Sequence, residues 1–338
     1  ENFQAQCLDA GGGRQQWCFN CHAPTSPATT LLPLHEPRQL EQLFERPPHW
    51  LEQGVGCLSC HVRDGQVLVE NVTDKAIAAH PVRRSPELGT AEFCAGCHQF
   101  NFKDVLLPDY FHGPFQQASL DEFLDFRHAD GFETRCHDCH MPGGSHVMPG
   151  GYDNKMLNRA LKLELAASWD RGQVEVVVSV SARRVGHKVP GGEFFRSVTL
   201  HTWLTDANGG MLQQASIEPS RQVEAVLGEG DASVVSRAVG SNWPRIEIFS
   251  RRRGAFDHDL EAPEQLLTDS RLRPGETRQF RYTLRPAADP ARFPLQVHAK
   301  LWYHVMHSTE AEQFHFSSDA VKWIISSEHR SVDRNAQR

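Results

Sequence analysis

The sequence predicts an α+β multidomain protein: a mostly loop and short-helix N-terminal domain over residues 1–157, then a C-terminal antiparallel β-sandwich over residues 158–338. Three observations carry that prediction. A length of 338 residues suits two domains. The window from Cys18 to His140 is rich in Pro, Gly and His and holds eight of the nine cysteines. From about Leu161 the apolar residues recur with a period of two, the signature of half-buried strands.

In the first half, Pro37 to Arg46 places Leu40, Leu43 and Phe44 on one helical face. Ser119-Leu120-Asp121-Glu122 has the form of a capping box opening a helix with Phe123, Leu124 and Phe126. In the second half, Gln173 to Val180 alternates with Val174, Val176, Val178 and Val180 on one side. Ser197 to Leu204 does the same with Val198, Leu200, Thr202 and Leu204, and Asp206-Ala207-Asn208-Gly209 follows as a hairpin turn. Arg273-Pro274-Gly275-Glu276 is a turn before a strand from Arg278 to Leu284. Leu295 to Val305 reads as the last long strand. Ser216 to Leu267 is poorly patterned and predicts long loops, and the polar tail after Ser327 is expected to fray.

The cysteines explain the first half. Four copies of Cys-x-x-Cys-His occur: Cys18/Cys21/His22, Cys57/Cys60/His61, Cys94/Cys97/His98 and Cys136/Cys139/His140. This is the attachment signature of c-type haem. Two residues between the cysteines set the sulfurs at the spacing of the two porphyrin vinyls, and the histidine folds back onto the iron as proximal ligand. Paired Cys-x-x-Cys units also make zinc sites, but those do not require the fifth residue. With histidine at 19 of 338 positions, its appearance after all four pairs by accident has a chance of about one in a hundred thousand. The sequence therefore predicts four covalent haem c groups and a haem-packed N-terminal domain.

A second axial ligand decides what such irons do. A bis-histidine haem is closed and passes electrons, whereas an open position permits catalysis. Fifteen histidines remain besides the four proximal ones. His80 is followed by Pro81, which stiffens the backbone that aims it. His128 sits at the end of the predicted helix, eight residues before Cys136. His146 follows the fourth motif in a Gly-rich turn, and His187 lies in the loop Gly186-His187-Lys188-Val189-Pro190-Gly191 between strands. These four are the candidate distal ligands, with His35 and His112 as reserves and Met141 or Met148 as alternatives that would raise a potential.

Gly54 to His61, Glu92 to Phe100 and Cys136-His137-Asp138-Cys139-His140-Met141-Pro142 resemble the tetrahaem cytochrome c family, over about residues 15–151. That family includes the nitrifier cytochrome that takes electrons from hydroxylamine oxidoreductase. The resemblance implies His146 and His128 as distal ligands. The His187 loop resembles one in the β-domain appended to many exported multihaem cytochromes, which often have Thr where Gly191 stands. The architecture also resembles extracellular cytochrome filaments, or nanowires, whose four-haem subunits lend an axial histidine to the next copy.

The expected function is electron transport along a row of four bis-His haems, not catalysis. The alternative is a periplasmic multihaem oxidoreductase acting on a small nitrogen or sulfur compound at an open haem. The expected partners are redox donor and acceptor proteins, extracellular acceptors, or further copies in a filament. The β-domain reads as a coat, dock or subunit joint. A formal charge of −7 argues against nucleic acid, and no run of ~18 apolar residues offers a membrane span. Haem c is attached outside the cytoplasm and the chain begins at Glu1, so the expectation is an exported protein whose leader was removed, extracellular or at the cell surface, or else periplasmic. Cys7 is left over, a thiol whose role the sequence does not assign.

Overall fold

The computed structural model describes residues 19, 21–24, 49–63, 65–79, 81–100, 117–130, 133–192, 196–212, 223–226, 245–253, 265–286, 292–306 and 322–334. Cys7, Cys18, His35, His80, His112 and the expected helix from Pro37 lie outside them, apart from their sequence neighbours. Contacts divide the chain into two units, residues 1–121 with 133–145, and residues 122–132 with 146–338.

The first unit is made of short pieces. They are helices α1 (His49–Gln53), α2 (Cys57–His61), α3 (Asp74–Ala79) and α4 (Ala91–His98), strands β1 (Val62–Arg63), β2 (Gln66–Val69) and β3 (Val82–Arg84), and the pair β4 (Gln99–Phe100) and β5 (Gln117–Ala118). Helix α5 (Ser119–Asp130) begins in this unit, and α6 (Cys136–His140) closes it. β1 and β2 pair antiparallel, β2 and β3 parallel. Helices of one or two turns do not hold themselves in water, where ~12–15 residues are already marginal. Something else must pack them. Yet the buried apolar side chains described in this unit are only Phe19, Ala23, Leu68, Ala95 and Phe100, while Val55, Leu58, Val72 and Ile77 stand exposed.

The second unit builds its core from side chains. After α7 (Asn154–Ala160), capped by the Asp153 carboxylate that accepts the Met156 N–H at 2.7 Å, come β6 (Leu161–Asp170), β7 (Gln173–Ala182), β8 (Ser197–Thr205), β9 (Val223–Val226), β10 (Arg245–Arg253), β11 (Gln265–Asp269), β12 (Thr277–Leu284), β13 (Leu295–His304) and β14 (Lys322–Val332). They form a five-stranded sheet, β11-β10-β8-β13-β14, and a four-stranded sheet, β6-β7-β12-β9, antiparallel throughout. The inward faces share one apolar cluster that includes Val174 to Val180 at alternate positions, Leu200, Leu204, Phe280, Leu284, Leu295 and Leu301, all under 2% exposed. The whole chain is thus α+β. Replacing Phe280 by alanine is expected to cost about 3–5 kcal/mol, read as a lowered urea midpoint of this unit.

Three readings of the sequence are corrected. Ser216 to Leu267, read as long loops, contains β9, β10 and the start of β11 among its described residues. The segment after Ser327 is paired as far as Val332: β14 runs to that residue, which is 3% exposed and pairs with Leu295. The capping box also differs, because α5 already includes Ser119 and the Glu122 carboxylate accepts from Lys188 and Arg271. A buried guanidinium outbids a helix-end amide for a carboxylate.

Candidate functional site

Each described Cys-x-x-Cys-His lies on a helical turn. That geometry puts residues i, i+3 and i+4 on one face, so both sulfurs and the ring leave the helix together. The second motif is α2 in its entirety, entered through the extended residue Gly56. Its His61 Nδ1 lies 2.8 Å from the carbonyl of Leu68 on β2. Arg63 caps the turn by donating to the carbonyls of Ser59 at 2.8 Å and Val62 at 2.7 Å. The third motif ends α4, whose N-cap Thr90 accepts the Phe93 N–H at 3.2 Å. The Gln117 amide sits 3.0 Å from His98 Nδ1, held there by the β4–β5 pair.

The fourth motif is α6. The Asp138 carboxylate accepts the Arg135 N–H at 2.8 Å, and that bond, with the Arg135 charge beside it, holds the carboxyl below its ordinary range. Arg135 also reaches Glu70 at 3.2 Å, directly after β2. The strand that receives His61 is therefore tied to the start of the fourth motif. In the first motif Cys21 and His22 are helical, and Phe19 and Ala23 beside them are fully buried.

The motifs converge. The Cys21 thiol beside Cys97 and the Cys136 thiol beside Cys94 hold Cys97 and Cys94 below the ordinary thiol range, while Cys94 and then burial push Cys136 up. Burial and then the neighbouring Cys97 raise Cys60. The third motif is thus the neighbour of the other three.

Two observations test whether a covalent porphyrin fits. A histidine that ligates through Nε2 carries its proton on Nδ1, and Nδ1–H needs an acceptor to fix the ring. Leu68 O supplies one to His61, and Gln117 can turn its amide oxygen to His98. A shallow, open cavity of about 630 Å³ is lined by Val72, Ile77, Ala78, Ala79, Pro81 and Val82, none of which belongs to a motif. The residues fit the group.

Of the candidate distal ligands, His80 lies outside the described residues, between two residues that line this cavity. His128 is on α5, near its C-terminal end. His146 is exposed in an extended stretch after the Gly143–Gly144 turn. His187 is half-buried, its Nδ1 2.9 Å from the Lys188 carbonyl. Its ring lies against Gly191: a Cβ there would sit 2.5 Å from Cε1 and 2.6 Å from Nδ1. The structure brings the four motifs together in one unit and places His128, His146 and His187 in the other. Sequence reasoning missed the ring-fixing acceptors, because a backbone carbonyl has no sequence signal.

No family model and no curated protein matches the sequence. Among solved structures, a penta-haem cytochrome c552 from Thermochromatium tepidum superposes with a TM-score of 0.64 at 19% identity, over 93% of this chain and 83% of that one. The collagen-binding domain of a Staphylococcus aureus adhesin aligns over 50% of this chain and 95% of that one at 7% identity, with a TM-score of 0.24, too low to argue from.

Proposed function

We propose, from the multihaem cytochrome c fold of this chain, that it is an electron-transfer protein carrying four covalent haem c groups. The observation that carries the reading is the convergence of the Cys-x-x-Cys-His turns in a unit that lacks a side-chain core among its described residues. Bound haem supplies a one-electron iron couple. The chain attaches it through Cys18, Cys21, Cys57, Cys60, Cys94, Cys97, Cys136 and Cys139, and ligates it through His22, His61, His98 and His140. Leu68 and Gln117 orient the rings of His61 and His98, and the Arg135–Glu70 pair braces the fourth turn.

His80, His128, His146 and His187 provide the second axial positions. His187 is the best prepared: donation of Nδ1–H to the Lys188 carbonyl puts the ligating lone pair on Nε2. Four closed irons make a carrier, exported and working between redox partners outside the cytoplasm. In a filament, His187 of one copy would ligate a haem of the next. Among the described residues no helix is long and apolar enough to cross a membrane.

Pyridine haemochrome analysis is expected to return about four haems per chain. A carbon monoxide difference spectrum of the reduced protein is expected to show no haem shift. A shift worth one haem would overturn the all-closed reading and favour an oxidoreductase working at that iron on a small nitrogen or sulfur compound.

A further inference from the structure

The loop that carries His187 is clamped beyond what a surface turn requires. Gly186 lets the Phe123 ring of α5 come close, where a Cβ would stand 3.1 Å from Cδ2. The Lys188 amide donates to Glu122 Oε2 at 3.1 Å. Glu122 Oε1 accepts from Arg271 Nη2 at 2.6 Å. Arg271 forks onto Asp269 through Nε at 2.8 Å and Nη2 at 2.9 Å, and Asp269 takes Lys188 Nζ at 2.8 Å. Val189 and Leu272 exchange both backbone bonds at 2.9 Å.

Glu122, Arg271 and Asp269 have side chains only 8–10% exposed. Two carboxylates and two cations balance, so the cluster holds no net charge, but each member depends on the others. One end of it is the amide next to His187. The other is the helix that also bears His128. A rigid ring-bearing loop is what a ligand with fixed orientation needs, since supporting bonds set ring direction and donor strength.

We propose that Glu122 and Arg271 are positioning residues that fix the His187 imidazole as an axial ligand by locking its loop to α5. This rests on the assignment of His187 as a ligand. A firmly aimed, strongly donating imidazole favours the more positive ferric iron, so loosening the loop raises the potential of the haem it serves. Each tenfold change in the ligand's relative preference for the two oxidation states reads as 59 mV.

The test is potentiometric titration, low-temperature EPR and thermal unfolding of the haem-loaded Arg271→Ala, Arg271→Lys, Glu122→Gln and His187→Ala variants. His187→Ala is expected to open one haem to carbon monoxide. Arg271→Ala is expected to raise the potential of that same haem by about 59 mV or more and alter its low-spin signal, leaving the others in place. Arg271→Lys, which keeps the charge but not the fork, is expected to fall between wild type and alanine. Should Arg271→Ala not accumulate, Glu122→Gln carries the same expectation. Unchanged potentials and low-spin signals with a lower melting temperature would make the network merely structural and sink the proposal. An unchanged His187→Ala spectrum would instead sink the ligand assignment, and the proposal with it.

Discussion

A chain in which all eight motif cysteines are serine is expected to keep its β-domain and to lose fixed structure in residues up to about 145. The described residues of the two units differ in how much apolar core they share. Residues 146–338 supply a continuous core in which Val178, Val180, Phe280, Leu284, Leu295 and Leu301 are fully buried. Every member of that cluster comes from Leu157 onward. The first unit offers helices of five to eight residues around its motifs and leaves Leu58 and Ile77 more than half exposed. Burying such a side chain is worth about 1.5–3 kcal/mol, and without porphyrin faces that gain is absent. Limited proteolysis with mass mapping reads the outcome: rapid cleavage before about residue 145 and protection of the strands. Equal protection of both units would mean that the first is held together without haem, and the account of its core would fail.

The second large effect is electrostatic. Asp269→Asn is expected to destabilise the β-domain by about 3 kcal/mol at neutral pH, because Arg271 would lose one of its two carboxylates inside a nearly dry site. Burial pushes the Asp269 carboxyl up, but the hydrogen bonds and charges of Arg271 and then Lys188 more than reverse this and leave it well below the usual range. With a folded pKa under the unfolded one, the unfolded chain binds more protons, so the stabilisation is complete above ~4 and drains as pH falls further. The gap between wild type and Asp269→Asn should therefore narrow in acid. Urea unfolding across that range checks it, and a gap of constant size would show that the charge on Asp269 does not stabilise the fold.

The strands with clean alternation were legible. Val174 to Val180 and Val198 to Leu204 face the core as their period requires. β10 was not, since only Ile246 and Ile248 alternate before Ser250 and three arginines interrupt. β14 was hidden for a different reason. It lies at a sheet edge, and its polar run from Ser326 to Ser331 is held by backbone pairing with β13, which makes no demand on side-chain polarity. The Cys-x-x-Cys-His pattern is visible in the sequence because its spacing is local. The Glu122–Arg271 contact spans 149 positions, and the acceptor on His61 is a carbonyl, so neither leaves a pattern to read. The misassigned capping box shares that cause, a distant arginine claiming a carboxylate that local grammar gave to the helix end.

The pairing of β14 also sets an order of events during synthesis. β14 completes the sheet beside β13, and Arg330 Nη2 reaches from it to the carbonyl of Leu165 on the first strand at 3.2 Å. The β-domain therefore cannot close until the last strand has been made. All four Cys-x-x-Cys-His segments lie before residue 141, so at ~5–20 residues per second they emerge roughly 10–40 s ahead of it. During that interval the motif segments exist while the sheet beside β13 still lacks its edge strand. A mutation that slowed β14 would lengthen that window, whereas one that let the strands close early would shorten it.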